Sequence, residues 1–275
     1  MKKRTIGMVV PTVDNSFFSG LAAQVDRVMS ENGCHTFIVS SANDAKKELS
    51  LLKELAAGAD GIICVSGLSE LPEGILPEKF PLVWADRVPK SAWTIPWVAN
   101  DDADAMEKAT NLLMKKNCRN ILLLPGFLAE HQESPRVRGY RNALEQNGID
   151  FHSEYVLYRQ GKRTTEEETG DLIRLAVANH IPVDGVITSS DRAAFGAMTA
   201  LRSVGYFVPE DVRLISFDHS PYATMASPPI TALDRKPEAL AKKACEILKK
   251  MMDGTQDFQT ENVIPVSLVK RDTTR

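Results

Sequence analysis

The chain has 275 residues, 43% of them apolar and 25% charged, with a formal net charge of -3. That length suits about two domains, and the balance lacks the basic excess of a surface that grips nucleic acid by itself. The four cysteines, Cys34, Cys64, Cys118 and Cys245, show no C-x-x-C and no paired spacing, so buried free thiols in a reducing compartment are expected.

The start, Met1 to Arg4, is basic, and the apolar stretch after it is cut short at Pro11. A secretory signal needs a longer apolar stretch, and no run reaches membrane-spanning length. A cytoplasmic chain without a membrane partner is expected. Ile6 to Val10 then reads as a buried strand. Phe18, Leu21, Ala22, Val25, Val28 and Met29 follow at helical spacing, with Gly33 as the cap that ends the helix. Thr36 to Ser40 is the next strand, and Leu51, Leu52 and Leu55 mark the helix after it. Gly61 to Val65 and Leu82 to Ala85 complete this stretch. Short all-apolar strands alternating with helices argue for parallel sheets covered on both faces.

Near Trp97 to Asn100 the pattern restarts. Asp101, Asp102 and Asp104 suit the positive end of a helix that carries Ala105, Ala109, Leu112 and Leu113. Strand Ile121 to Leu124, helix Tyr140 to Asn147, strand Tyr155 to Tyr158 and helix Glu166 to Ala178 follow. Strand Gly185 to Thr188, helix Ala193 to Val204 and strand Val212 to Phe217 come next. A last helix bears Leu240, Ala244, Ile247, Leu248 and Met251, and Val263 to Val269 is the final strand. These are too many strands for one sheet, so two similar α/β lobes are expected.

Catalytic signatures are missing. There is no G-x-G-x-x-G after a strand, no Walker-type loop, no H-E-x-x-H and no G-x-S-x-G. The histidines, His35, His131, His152, His180 and His219, are far apart without ligand spacing. Acid clusters such as Glu166 to Glu168 fall at helix starts, where a dipole role suffices. No enzyme activity, metal or cofactor is expected.

Several segments carry a resemblance, in order along nearly the whole chain. They are Ile6 to Pro11 followed by Asp14 to Phe18, then Ala59 to Ile63, then Asp86-Arg87. Ser134 to Tyr140 has the form R-x-x-G-aromatic, and Ser189 to Ala197 that of N-D-x-x-A-x-G. Val208 to Val212 with Ile215 to Asp218, Pro228 to Thr231 and the closing Pro265 to Thr274 complete the series. Together they resemble the lac-repressor family and its periplasmic sugar-binding relatives, with the last two segments favouring the repressor branch.

The resemblance implies an α/β fold of two lobes, each a parallel sheet with helices on both faces, joined by three crossovers. These are expected near Val98 to Asp101, Ala232 to Pro237 and Asp257 to Val263. The N-terminal lobe would comprise residues 5–100 with 235–259, and the C-terminal lobe residues 101–234 with 260–275. The family binds its effector between the lobes, at the carboxyl ends of the strands, where open α/β sheets generally place ligands. By position, Asn15, Phe17, Asp86, Arg87, Arg136, Ser190, Asp218 and Arg235 are expected there.

Each residue has a chemical reason and a plainer rival reading. Asp86 and Asp218 follow buried strands and can accept paired hydrogen bonds from vicinal hydroxyls, although Asp86-Arg87 also reads as a surface turn. Arg136 offers a planar fork for a sugar oxygen pair or a carboxylate, and at a helix start it opposes the dipole. Phe17 or Phe18 can cover the apolar face of a sugar ring, while Phe18 also begins the helical core stripe. Trp84, Trp93 and Trp97 read as core. Ser190 stands where the family usually has Asn, and Arg235 where it has a polar, often amide, residue. With Arg87 and Arg136, Arg235 sets three cations against two carboxylates, which points to an acidic or phosphorylated sugar.

The function implied is a repressor core: a homodimer that senses a small sugar-type effector and controls operator DNA. The DNA-binding head is outside these 275 residues, with Lys2-Lys3-Arg4 as the expected remnant of its linker. One rival is an extracytoplasmic solute-binding protein of a sugar transporter. Another is an α/β enzyme with a cleft.

Overall fold

The computed structural model describes residues 3–89, 94–126, 134–255 and 257–275, so Lys2, Trp93 and His131 lie outside the described residues. The chain divides into two compact units, Met1–Asn100 with Lys236–Ile264 and Asp101–Arg235 with Pro265–Arg275. The first stretch runs β1 (Thr5–Val10), α1 (Ser16–Glu31), β2 (His35–Ser40), α2 (Ala45–Gly58), β3 (Gly61–Cys64), β4 (Leu82–Ala85) and β5 (Trp97–Asn100). In β1 every residue from Ile6 to Val10 is buried. Ile6, Met8 and Val10 face the core under α1, and Val9 faces the one under α2, the period-two alternation of a strand. Asn15 caps α1 through its side-chain oxygen, and Gly33 beyond the helix end has φ +74°, a conformation glycine adopts without steric cost.

The second stretch contains α3 (Asp102–Lys115), β6 (Ile121–Leu124), α4 (Pro135–Gln146), α5 (Thr165–Ala178), β7 (Gly185–Thr188), α6 (Asp191–Ser203), β8 (Arg213–Phe217), α7 (Pro221–Met225) and β9 (Thr231–Asp234). The short α7 had no counterpart among the sequence expectations. The strand expected over Tyr155 to Tyr158 reduces to one parallel bridge, Val156 to Leu123, after a 3-10 turn at Ser153–Tyr155. Its alternation is nonetheless real. Val156 and Tyr158 pack against one core of the unit, and Tyr155 and Leu157 against the other.

The chain ends with α8 (Pro237–Met252), β10 (Glu261–Ile264) and β11 (Ser267–Val269). The first sheet has the order β10-β5-β4-β3-β1-β2 and the second β11-β9-β8-β7-β6. All pairings are parallel except that of β11 with β9. The single strand expected over Val263 to Val269 is therefore two strands in different sheets. Pro265, which has no N–H to give a ladder, separates them. The unit boundary moves with it: Val263 pairs with Ala99, so Glu261–Ile264 belong to the first unit and not to the second. At the other crossover Arg235 falls in the second unit.

Helices cover both faces of each sheet. In the first unit α1 and α8 share one core and α2 covers the other, while Trp84 is fully buried and Trp97 packs beside it. In the second unit α3 and α4 lie over one face and α5 and α6 over the other. All four cysteines are buried and unpaired.

Candidate functional site

In the first unit the expected residues stand after β1 and β4. The Asn15 side-chain oxygen accepts the backbone N–H of Phe17 at 2.9 Å and of Phe18 at 3.2 Å, so it is occupied as a helix cap. Phe17 is 3% exposed and belongs to the core, with its ring edge-on to Phe18 at 5.6 Å. Packing occupies it, and it is not a ring presented to solvent. The exposed Arg87 places its guanidinium 5.2 Å from the centre of the Phe18 ring. Asp86 is half-buried with φ +67°, and its N–H donates to the Val98 carbonyl of β5 at 2.8 Å.

In the second unit the carboxyl ends of β6 to β9 collect Arg136, Ser190, Asp218 and Arg235. Arg136 Nε donates to Asp102 Oδ2 at 2.8 Å, and its Nη1 reaches the carbonyls of Ser189 at 3.4 Å and Pro125 at 3.5 Å. The same guanidinium stacks 4.1 Å from the centre of the Phe217 ring, a cation–π contact that a planar arginine makes well. These partners offset the unfavourable place of a cation at a helix start. Ser190 accepts the Ala193 N–H at 3.2 Å and so caps α6. Asp218 has φ +93°, and its N–H donates to the Leu233 carbonyl at 3.0 Å. Arg235 Nη1 lies 3.5 Å from Asp218 Oδ1, with the two side chains only 5% and 3% exposed.

Three residues of this unit have partners that the sequence alone does not reveal. Asp102, which reads in the sequence as a dipole acid, is the carboxylate that pairs with Arg136. Asp191 is fully buried. It accepts the Ser216 hydroxyl on one oxygen and the Ser220 N–H at 2.6 Å on the other. Burial pushes its carboxyl above the ordinary range, against those hydrogen bonds. His219, with φ +58°, has Nδ1 3.6 Å from Asp234 and Nε2 2.5 Å from Arg271 Nη2. The only sequence signal for Asp191 was its place in the Ser189 to Ala197 segment.

Within the second unit Arg136 and Arg235 each have a carboxylate in contact, Asp102 and Asp218 respectively, so neither stands there as an unbalanced cation. Among the described residues no helix is long and apolar enough to cross a membrane, and no group of three or more His, Cys, Asp or Glu residues is arranged to hold a metal.

Comparison with known proteins places this architecture. The profile of the family described as periplasmic binding protein-like domain matches residues 110–274. The ribose operon repressor of Halalkalibacterium halodurans is 26% identical over 284 residues, covering 98% of this chain and 79% of the relative. Catabolite control protein A of Priestia megaterium is 27% identical over 256 residues, covering 92% of this chain and 76% of that protein. A solved periplasmic binding protein/LacI transcriptional regulator from Alkaliphilus metalliredigens QYMF, complexed with D-xylulofuranose, has a TM-score of 0.84 at 23% identity. It covers 99% of this chain and 100% of its own, a likeness of fold. Family profile, curated relatives and fold agree: the chain belongs to the periplasmic binding protein-like domain family, in its lac-repressor type of transcription regulator.

Proposed function

We infer that the chain is the effector-sensing core of a transcription repressor and that its effector is an uncharged sugar. The observation that carries the reading is the buried Asp218–Arg235 pair beside Arg136 at the strand ends of the second unit. A carboxylate and guanidiniums held in one polar patch accept from and donate to sugar hydroxyls at once. Asp86 at the end of β4 offers the same acceptor in the first unit. The expectation of an acidic or phosphorylated effector rested on surplus positive charge, and the pairings of Arg136 and Arg235 remove that support.

The named relatives, a ribose operon repressor and a catabolite control protein, support regulation over transport and over catalysis. On this reading the partners are a small sugar, operator DNA reached through a helix-turn-helix head, and a second copy of the chain, in the cytoplasm. Exposed Phe195, Phe207, Tyr222 and Met225 in the second unit and Phe37 and Ile38 in the first supply apolar surface of the kind homodimers cover. The effector can shift the regulator between states by no more than its difference in affinity for them.

The test is thermal unfolding of the chain with neutral aldoses and ketoses, D-ribose and D-xylulose among them, and with D-ribonate and D-ribose 5-phosphate. A neutral sugar at a hundred times its dissociation constant is expected to stabilise by about 2.7 kcal/mol, and Asp218→Asn to abolish the shift. Equal or stronger stabilisation by the acid or phosphate would overturn the neutral-effector reading. No stabilisation by any compound would overturn the sensing role.

A further inference from the structure

Two pairs of adjacent residues meet at the ends of neighbouring strands. Asp218-His219 follows β8 and Asp234-Arg235 ends β9, with Phe217 and Leu233 in register just before them. They pair diagonally. Asp218 lies 3.5 Å from Arg235, and His219 Nδ1 lies 3.6 Å from Asp234. Asp218 and His219 both have positive φ, +93° and +58°, so the backbone between them turns in a defined corner.

Arg271 of the closing segment fixes the proton on the His219 ring. Its Nη2 donates to His219 Nε2 at 2.5 Å, and its Nη1 donates to the Ile230 carbonyl at 2.8 Å. A guanidinium has only donors, so Nε2 must offer a lone pair. The ring is therefore neutral, with its proton on Nδ1, the side of Asp234. The His219 side chain is 29% exposed, so protons from solvent reach it. The other charged groups around it are Asp218, Arg235 and Asp191, whose carboxylate interacts with His219 electrostatically. The residues of α7 carry no charge, and Asp272, next to Arg271, pairs with Arg275.

A second proton on the ring lands on Nε2. It turns that acceptor into a donor, sets two cations against each other and makes an ion pair of His219 and Asp234. The dominant partner is thus Arg271 for the neutral ring and Asp234 for the charged one. We propose that His219 is a proton-operated switch that makes effector sensing pH-dependent, an inference that rests on the sensing role argued above. The charged ring draws in Asp234, Arg235 moves with it, and the Asp218–Arg235 pair shifts. His219 is a positioning residue, acting on the effector through that pair, as histidine switches act through the elements they bias. The Asp218–Arg235 arrangement described here accompanies the neutral ring, so affinity is full at the alkaline end and falls as pH drops.

The experiment uses the full chain and His219→Asn, since asparagine tolerates a positive φ and does not titrate. Nitrogen-15 NMR of the histidine rings is recorded at about pH 8 and about pH 5.5, limits that span the histidine range. One ring with an unprotonated Nε2 is expected at the higher pH, absent from the variant and doubly protonated at the lower pH. Calorimetric titration then uses the neutral sugar from the panel that stabilises wild type most. Wild type is expected to bind it about tenfold more weakly at the lower pH, the size of one lost hydrogen bond, and His219→Asn to change by less than about twofold. A His219 ring that carries its proton on Nε2 at the higher pH would overturn the proposal. Equal wild-type affinity at the two pH values, or the same loss in the variant, would overturn it and leave the sensing role standing. A wild type that binds no sugar at either pH would overturn both.

Discussion

Asp86 and Asp218 close corresponding strands of the two units with the same backbone device. Each has a positive φ, and each sends its N–H to the next strand, to Val98 and Leu233 respectively. Glycine takes that conformation more cheaply than any side-chain-bearing residue. An acid there twice argues that the direction of the carboxylate is what the position serves. Glu168 shows a carboxylate serving its own fold. It accepts the N–H groups of Gly161 at 2.9 Å, Lys162 at 2.6 Å and Arg163 at 3.2 Å. Burial pushes its carboxyl up, but those three donors and the Arg159 cation outweigh it and hold the group below its ordinary value of 4.5. The folded protein therefore binds this proton less readily than the unfolded chain does. Its stabilisation is fully present above the unfolded value and is lost as pH falls through the lowered folded one. Glu168→Gln should unfold at lower urea concentration than wild type at pH 7, with the gap closing below about pH 4.5. A gap that stays constant with pH would mean the charge contributes nothing.

At the scale of elements, two helix pairs are held close by single glycines in the segments that resemble the lac-repressor family. A Cβ on Gly139 would run into the Ala103 carbonyl oxygen, joining α4 to α3. One on Gly196 would lie 2.7 Å from the Glu166 Cα, joining α6 to α5. The obstruction is backbone in both cases and cannot swing aside. Gly139→Ala and Gly196→Ala should each cost about 1–3 kcal/mol. Gly20→Ala in α1, where a Cβ would meet nothing within 4 Å, should instead stabilise by about 0.5–1 kcal/mol. Chemical denaturation of the three variants decides, and equal effects of one sign would refute the packing account. These glycines explain what was readable at this scale. Strands such as Ile6 to Val10 and Ile121 to Leu124 are apolar throughout because both faces are covered, and the helices between them repeat at their own period. The errors have equally local causes. The run from Val263 to Val269 looks like one strand because Ile264 and Val266 flank Pro265 with apolar residues. Only the pairing of β10 with β5 reveals the division. Tyr155 to Tyr158 alternates like a strand while making a single bridge, Val156 to Leu123.

For the whole molecule, each of the four core clusters draws its residues from one unit. Trp84, Trp93 and Trp97 all belong to the first unit by sequence, whereas Cys118 is buried in the second. Burial raises the Cys118 thiol above its ordinary value and pushes that of Cys245 up to about 12, so labelling requires unfolding. Tryptophan fluorescence and peptide-resolved labelling of Cys118 should therefore give different urea midpoints, one for each unit. Coincident midpoints would mean that the units unfold together. The organisation into two units was legible from the restart near Asn100. The polar patch of the second unit was legible only in part. Arg136 and Asp218 stood out by residue type and place, whereas the partners that balance them did not. Asp102 looks like any acid at a helix start, and Arg235 meets Asp218 only because β8 and β9 end side by side.

The discontinuity of the first unit also sets the order in which the chain can fold as it leaves the ribosome. Strands β6 to β9 emerge without interruption between Ile121 and Asp234, so the second unit can assemble nearly all of its sheet while synthesis continues. The first unit is made earlier but waits longer. Leu240, Ala241, Ala244, Ile247 and Leu248 of α8 complete its core, and β10 adds the last strand to its sheet. Until α8 is released, Ile6, Met8 and Val10 lack that part of their cover. The first unit thus waits for α8 to close one of its two cores, whereas the second lacks only β11 and the closing residues when Asp234 has emerged, so the first stays open to non-native contacts for the longer interval.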